Sequence, residues 1–357
     1  MNILITAPDL EESRNVSGIS TVVRQIVESR PSRYTHFIAG SADRERKGPR
    51  WLIKQLALPI SFLTTVIRSR PDVIHINTAL TDLSIWRDLT LLLIGVVSGR
   101  PIVLAIHGGK YLMNGAAGKL IYRAIGIMLR RSAAVVVLSE IEKASLLRRW
   151  PVVDITVLPN AIDTANVPAR VSSNETPVVV FLGRLHESKG VRELADACGK
   201  LHGAGGKFIL RCYGDGPEKD RFIDKMNELL GRSFEYRGVV AGNEKWAALA
   251  SSDIFVLPSI YGEGMPMALL EAMACGCIVI ASDNASISAV IDSGYNGYIV
   301  PAGDVDALAE KLATVIEHRN EWPAVGAAAK KTIQEKFAID RYLADLESIY
   351  DRTVAKR

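Results

Sequence analysis

The sequence is short of the features that settle a protein's class at once. Its 357 residues hold four cysteines, Cys198, Cys212, Cys275 and Cys277, too few for the disulfide framework of a secreted scaffold. Cys275 and Cys277 flank one glycine between a helix end and a strand-like run, with no second Cys/His pair nearby. Two small core residues are expected there rather than a metal or redox pair, and a reduced cytoplasm is the expected compartment. The longest apolar run, Leu89 to Ser98, cannot span a bilayer. The opening residues, Met1 to Ala7, lack a basic n-region and the length of a signal peptide, so no secretory leader is expected. No low-complexity tract or solenoid repeat is present. No G-x-G-x-x-G follows the first strand-like run, which disfavours a dinucleotide-dependent dehydrogenase.

What is present is an ordinary globular composition, long for a single core, so two domains are expected. The net charge of +4 is divided unevenly. Residues 1–160 carry 21 Lys and Arg against 12 Asp and Glu, or +9; residues 161–357 carry 22 against 27, or −5. The first half therefore has reason to approach something anionic.

Val/Ile-rich runs alternate with helical periodicity along the whole chain. In the first half the runs start at Ile3, His36, Val73, Ile102 and Ala134, with helices near 19–30, 51–68, 82–97, 118–131 and 140–149. A second series starts at Val178, Phe208, Ile254 and Ile278. Continuous apolar strands read as parallel sheets buried on both faces. The expected fold class is α/β, with two doubly wound Rossmann-like domains joined through the polar stretch 160–177. Ligands bind such sheets beyond the carboxyl ends of the strands, which two facing sheets would place in an interdomain cleft.

The segment E-G-M-P-M-A-L-L-E-A-M-A-C-G (263–276) holds two carboxylates eight positions apart. Pro266 suits a helix start, Met267 to Ala274 are good helix formers, and Gly276 supplies a stop. Glu263 then precedes the helix and Glu271 lies in its second turn, with free amides between them that suit an anion. In isolation a dipole-favoured Glu and a solvated Glu explain the pattern as well. The neighbouring strand ends weigh against that plainer reading. Gly183-Arg184 to Lys189-Gly190 offers close backbone approach and two cations, and Tyr213 to Pro217 is a tight turn. Ser17-Gly18 starts the first helix and His107 ends a strand, a position where a structural and a catalytic histidine are equally expected.

Taken together, these pieces resemble the retaining glycosyltransferases of family 4, which have the GT-B fold. The resemblance rests on G-R-L-H-E-S-K-G (183–190), Y-G-D-G-P (213–217), Y-R-G-V-V (236–240), S-D-I-F-V-L-P-S (252–259), the 263–276 segment and N-G-Y-I-V-P-A-G-D (296–304). The first half carries S-G-I-S-T-V-V (17–23), A-I-H-G-G (105–109), V-V-V-L-S-E (135–140) and V-L-P-N-A-I-D (157–163). It implies an acceptor-binding domain at 1–162, a nucleotide-sugar domain at 163–339 and a helix at 340–357 returning to the first domain. It further implies that Arg184 and Lys189 hold the donor diphosphate and that Glu271 binds the ribose hydroxyls. Glu263 would face the donor sugar, with Gly264, Met265 and Pro266 beside it at the helix start. Gly18 would approach the phosphates, and His107 would lie near the transferred sugar. Ser17 stands where the family often has a first glycine, and Ala289 where many members carry Glu.

The expected reaction is transfer of a sugar, with retention, from a UDP- or GDP-sugar to a glycan or lipid-linked glycan. No cofactor, metal or nucleic acid is expected. Asp304-Val305-Asp306 superficially offers an Asp-x-Asp metal motif, but Asp304 reads better as a helix cap. A nucleotide-sugar epimerase of the same fold and a non-catalytic nucleotide-sugar binder remain alternatives. A glycosidase would have no use for the Arg/Lys loop. The 51–63 helix, with Arg46, Lys47 and Arg50 before it and Arg68 and Arg70 after it, suggests peripheral contact with an anionic membrane surface, as does 120–131 ending in Arg130-Arg131. Sheet-covering helices are the plainer reading of each segment alone.

Overall fold

The computed structural model describes residues 1–355 except 41–47, 114, 116, 117, 152, 166 and 171–173. The chain divides into two compact units, one of residues 1–161 with 339–357, the other of residues 162–338.

In the first unit the strands are β1 (Ile3–Ala7), β2 (Tyr34–Ile38), β3 (Val73–Thr78), β4 (Ile102–Ile106), β5 (Ala134–Val137) and β6 (Ile155–Val157). They pair in parallel in the order β2-β1-β3-β4-β5-β6. The helices between them are α1 (Gly18–Ser29), α2 (Pro49–Ser69), α3 (Asp82–Val97), α4 (Lys110–Met113), α5 (Lys119–Arg131) and α6 (Glu140–Leu147). β1, β3 and β4 are buried at every position; β1 and β4 read as largely apolar runs, while β3 also carries His75, Asn77 and Thr78.

The second unit holds β7 (Val178–Leu182), α7 (Val191–Gly203), β8 (Ile209–Tyr213), α8 (Lys219–Leu230), β9 (Phe234–Tyr236), α9 (Gly242–Ala250) and β10 (Ile254–Leu257). It continues through α10 (Met267–Cys275), β11 (Ile278–Ser282), β12 (Tyr298–Val300), α11 (Val305–Glu317) and α12 (Trp322–Lys336). Its parallel sheet runs β12-β11-β10-β7-β8-β9. The strand order turns back between β7 and β10, and in open α/β sheets ligands bind beyond the carboxyl ends of the strands at such a switch point. In the first unit the corresponding point lies between β1 and β3.

The short edge strands β6 and β12 were not expected from sequence, and β9 only as the strand before Arg237. Each has only three residues, and each is partly exposed, so the apolar run is too short to register. Pro266 is the cap of α10 rather than its first helical residue, with ψ at 126°, and the helix begins at Met267. Gly276 ends it in the left-handed conformation, as expected of a C-terminal glycine. Asp304 caps α11, its side chain accepting from the Ala307 amide at 2.9 Å. The four cysteines are free and buried, and burial raises each thiol's pKa, to about 12 for Cys198 and Cys275.

The loop after β7 is pinned by a glycine. Gly190 has φ of +67°, and a Cβ there would lie 1.9 Å from the Pro258 carbonyl oxygen. The loops after β7 and β10 thus touch backbone to backbone, and the Ile260 amide donates to the Ser188 carbonyl at 2.8 Å.

The final helix, α13 (Ile339–Ala355), belongs to the first unit and packs on β3 and β4. Tyr350, wholly buried, shares a 2.7 Å hydrogen bond with His75 Nδ1 on β3. His75 Nε2 has no partner among the described residues, and burial lowers this imidazole's pKa to about 3. The ring is therefore neutral and leans on Tyr350 for its one hydrogen bond.

Gly190→Ala should lower the melting temperature by several degrees, because left-handed backbone alone costs a non-glycine residue about 1–3 kcal/mol and the carbonyl contact adds to it. Tyr350→Phe leaves the His75 ring without any partner and should cost about 1–3 kcal/mol. Urea titration would show this as a lower midpoint at unchanged slope.

Candidate active site

The second unit gathers most of the sequence-predicted residues at the carboxyl ends of β7, β8 and β10. The Gly183 amide donates to the Tyr213 carbonyl at 3.0 Å, and the Leu185 amide to the Asp215 carbonyl at 3.0 Å. A Cβ on Gly214, at φ of +140°, would lie 1.9 Å from the Gly183 carbonyl oxygen. The loops 183–190, 213–217 and 258–263 therefore form one laced rim.

Within this rim Glu263 is 6% exposed and Glu271 is 2% exposed. Two carboxylates so deeply buried need compensation, since an unpaired buried charge is costly. Each has it. Glu263 Oε1 accepts from Lys189 Nζ at 2.5 Å and from Ser259 Oγ at 2.5 Å. Glu271 Oε1 accepts from Lys245 Nζ at 2.5 Å. In both residues the second oxygen, Oε2, has no partner among the described residues. One oxygen of each carboxylate is thus anchored.

Gly264 and Met265 are buried in the turn between Glu263 and α10, and Pro266 is half-buried. The amides of Met267 and Ala268, in the first turn of α10, have no acceptor among the described residues. They lie between the two glutamates in sequence and suit an anion. Arg184 is exposed and has no ion-pair partner among the described residues. Lys189 differs from that picture, because its ammonium is already engaged by Glu263.

The first unit holds the remaining two residues at its own sheet edge. Gly18 opens α1, and Ser17 is the cap, with its Oγ 3.4 Å from the Ser20 amide. Asn15 Oδ1 ties the turn by accepting from the Ser17 amide at 2.9 Å and from Ser20 Oγ at 2.8 Å. A serine in place of the family's first glycine is thus used as a helix cap. His107 follows β4, its amide donating to the Thr78 carbonyl at 2.8 Å. Its Nε2 lies 2.7 Å from Asn77 Oδ1 on β3. Burial lowers the imidazole's pKa to about 4, so the ring is neutral near pH 7. The loop beyond it is fastened on both sides: Lys110 forms a 2.5 Å ion pair with Asp82 of α3, and Arg149 donates to the Tyr111 carbonyl at 2.9 Å.

Three functional candidates were missed in the sequence. Ser259 lies inside a quoted segment, but nothing in its spacing marks it. Lys245 sits on α9, 26 residues from the glutamate it holds, where a lysine reads as a solvated helix charge. Asn77 is one of three buried polar residues on β3, with His75 and Thr78, and nothing in its spacing singles it out. No cluster of three or more metal-ligating side chains occurs among the described residues.

Comparison with known proteins agrees with the motifs. Residues 164–332 match the family model "Glycosyl transferases group 1", and residues 16–166 match "Glycosyltransferase Family 4". The sulfoquinovosyl transferase SQD2 of Arabidopsis thaliana is 27% identical over 296 residues, covering 78% of this chain and 56% of the relative. The phosphatidyl-myo-inositol mannosyltransferase of Mycobacterium leprae is 31% identical over 205 residues, covering 54% of each. The chain spans about half the length of the first curated relatives it matches. Among solved structures, sucrose-phosphate synthase of Thermosynechococcus elongatus aligns over 100% of both chains with a TM-score of 0.84 at 18% identity. Anabaena HepE in complex with UDP-glucose covers 98% of this chain and 99% of its own, with a TM-score of 0.80 at 18% identity. At that identity these structures speak for the fold, which is GT-B with two Rossmann-like domains. The two family models together take in nearly the whole chain, which belongs to glycosyltransferase family 4.

Proposed function

We propose that the protein is a retaining glycosyltransferase that moves a sugar from a UDP- or GDP-sugar to a glycan or lipid-linked glycan acceptor. The observation that carries this is the pair of buried carboxylates flanking the first turns of α10, each held by a lysine through one oxygen and open at the other. In this reading Glu271 Oε2 accepts from the ribose hydroxyls and Glu263 Oε2 from hydroxyls of the donor sugar. The diphosphate between them meets Arg184, Lys189 and the free amides of α10. These are cationic and dipolar groups of the chain that stabilise a leaving diphosphate without calling on a metal ion. Family resemblance assigns Gly18 to the phosphates and His107 to the transferred sugar. It also gives front-face attack without a protein nucleophile, which fits a Glu263 whose Oε1 is already committed to Lys189 and Ser259. HepE, a protein of the same fold, is known in complex with UDP-glucose, which supports a nucleotide-sugar donor.

The Glu271→Ala variant should bind UDP or GDP at least about tenfold more weakly in calorimetric titration, in line with about 1.5–3 kcal/mol for a hydrogen bond to a charged group. Glu263→Ala should bind the nucleotide nearly as well and lose most turnover. Wild-type turnover in both variants would exclude these roles. Product that appears without an acceptor would favour the epimerase instead.

Peripheral contact with an anionic membrane surface is part of the same proposal. On α2, Ile53, Leu56, Ile60, Leu63 and Ile67 recur every three or four residues and are 41–70% exposed. On the neighbouring α3, Leu83, Trp86, Leu93 and Val97 are exposed as well. The sequence of α2 contains no acidic residue and includes Lys54 and Arg68, while α5 ends in Arg130 and Arg131. Arg46, Lys47 and the side chain of Arg50 lie outside the described residues. An apolar face flanked by cations fits an anionic bilayer surface better than a second copy of itself, which would set like charges together. No helix among the described residues is long and apolar enough to cross a membrane. The protein should float with anionic vesicles at low salt and not with neutral ones. Replacing Ile53, Leu56 and Ile60 together by Gln should abolish flotation, and a wild type that stays at the bottom of the gradient would exclude the contact.

A further inference from the structure

We infer that Asn77 is a positioning residue that fixes the tautomer of His107, so that the ring meets its ligand as a hydrogen-bond acceptor through Nδ1. The inference follows from counting donors along one short chain of hydrogen bonds within the first unit. The Thr6 carbonyl of β1 can only accept. The nitrogen of the Asn77 amide faces it, donating from Nδ2 at 2.9 Å. The flipped amide would set two acceptor oxygens against each other, so the orientation is determined. Asn77 is further tied by its own backbone amide, 3.2 Å from Thr6 Oγ1. Its Oδ1 therefore points at His107 Nε2, 2.7 Å away, and an amide oxygen needs a donor there. Nε2 must carry the proton. In a neutral imidazole the other nitrogen, Nδ1, then carries a lone pair and no hydrogen.

The surroundings keep the ring in that state. His107 follows β4, whose neighbours in the sheet are β3 and β5, and precedes the short helix α4 in sequence. Of the ionisable groups on the elements around it, His75 on β3 is neutral and engaged by Tyr350 of α13. Lys110 of α4 is paired with Asp82 of α3, and the Tyr111 hydroxyl also donates to Asp82. Burial lowers the His107 pKa and holds the ring neutral. Nδ1 has no hydrogen-bond partner among the described residues.

A neutral imidazole with a bare Nδ1 selects its partner by chemistry. It accepts a hydrogen bond from a hydroxyl and repels a phosphate or carboxylate oxygen. This rests on the transfer reading only for the identity of the partner: where His107 meets the transferred sugar, it accepts from a sugar hydroxyl and gives nothing to the leaving group. His107 then orients the sugar, and the proton balance of the reaction does not run through it.

The tautomer can be seen directly. Long-range proton–nitrogen correlation spectra of the full-length protein distinguish Nε2–H, Nδ1–H and doubly protonated rings, and the His107→Gln spectrum assigns the signal among the six histidines. Wild type should show the Nε2–H form at pH 7 and keep it down to about pH 5. Asn77→Ala should show a mixture of tautomers and lower kcat about tenfold, with the donor KM within about twofold. Asn77→Asp places a carboxylate on Nε2, which favours the charged ring and raises its pKa. Below the raised pKa the ring is an imidazolium and Nδ1 becomes a donor. Activity in this variant should therefore fall as pH is lowered through the neutral range, where wild type is flat, and return on the alkaline side. A wild-type Nδ1–H form, or an Asn77→Ala protein that keeps the pure Nε2–H form, would overturn the inference. A protein that shows the expected tautomer but no transfer with any nucleotide sugar would leave this assignment standing and count against the transfer reading alone.

Discussion

Two carboxylates buried within one short segment need polar partners at contact distance, and the second unit supplies them from several elements. Lys189 comes from the loop after β7, Lys245 from α9 and Ser259 from the end of β10. Glu263 and Glu271 are thus pinned by elements on both sides of α10. These partners meet at the point where the strand order reverses, between β7 and β10. The same pairing commits the Lys189 and Lys245 ammonium groups to the two carboxylates.

The first unit solves a different problem with the same economy of partners. Thr6, Asn77 and His107 form a line of hydrogen bonds across β1, β3 and the end of β4, in a sheet otherwise filled with Ile, Leu and Val. A parallel sheet buried on both faces tolerates polar side chains only where each finds a partner. Asn77 meets that condition at both ends of its amide. His75, two residues earlier on the same strand, meets it at one nitrogen only, through a residue of α13.

Much of this was legible in the sequence because the relevant signals are local. The largely apolar runs at Ile3, Val73, Ile102, Val178, Ile254 and Ile278 mark the central strands, and Pro266 and Gly276 bracket α10 through their own backbone preferences. The residues of the 183–190 and 263–276 segments could be named because they sit in contiguous motifs. Lys245 and Asn77 escaped for the opposite reason. Each is defined by a partner 26 or 30 residues away, on another element, and neither carries a mark in its own neighbourhood. Lys189 shows the limit of motif reading from the other side. Its presence at the loop was plain, but its engagement by Glu263 depends on a backbone contact at Gly190 that only the folded chain reveals. The edge strands β6 and β12 were lost to their length.

The discontinuity of the first unit has a consequence for how the chain is made. α13 is synthesised after the whole of residues 162–338, yet it covers β3 and β4, which leave the ribosome long before. During synthesis the second unit is complete while the first still lacks a helix, and His75 waits across 275 residues of chain for Tyr350. Domains generally fold as units in the order they emerge, but here the first unit is completed only by the last helix. The second unit can close first, and the sheet carrying His107 is the later one to be sealed. Until α13 arrives, its face over β3 is open to water and to any other apolar surface in the cell.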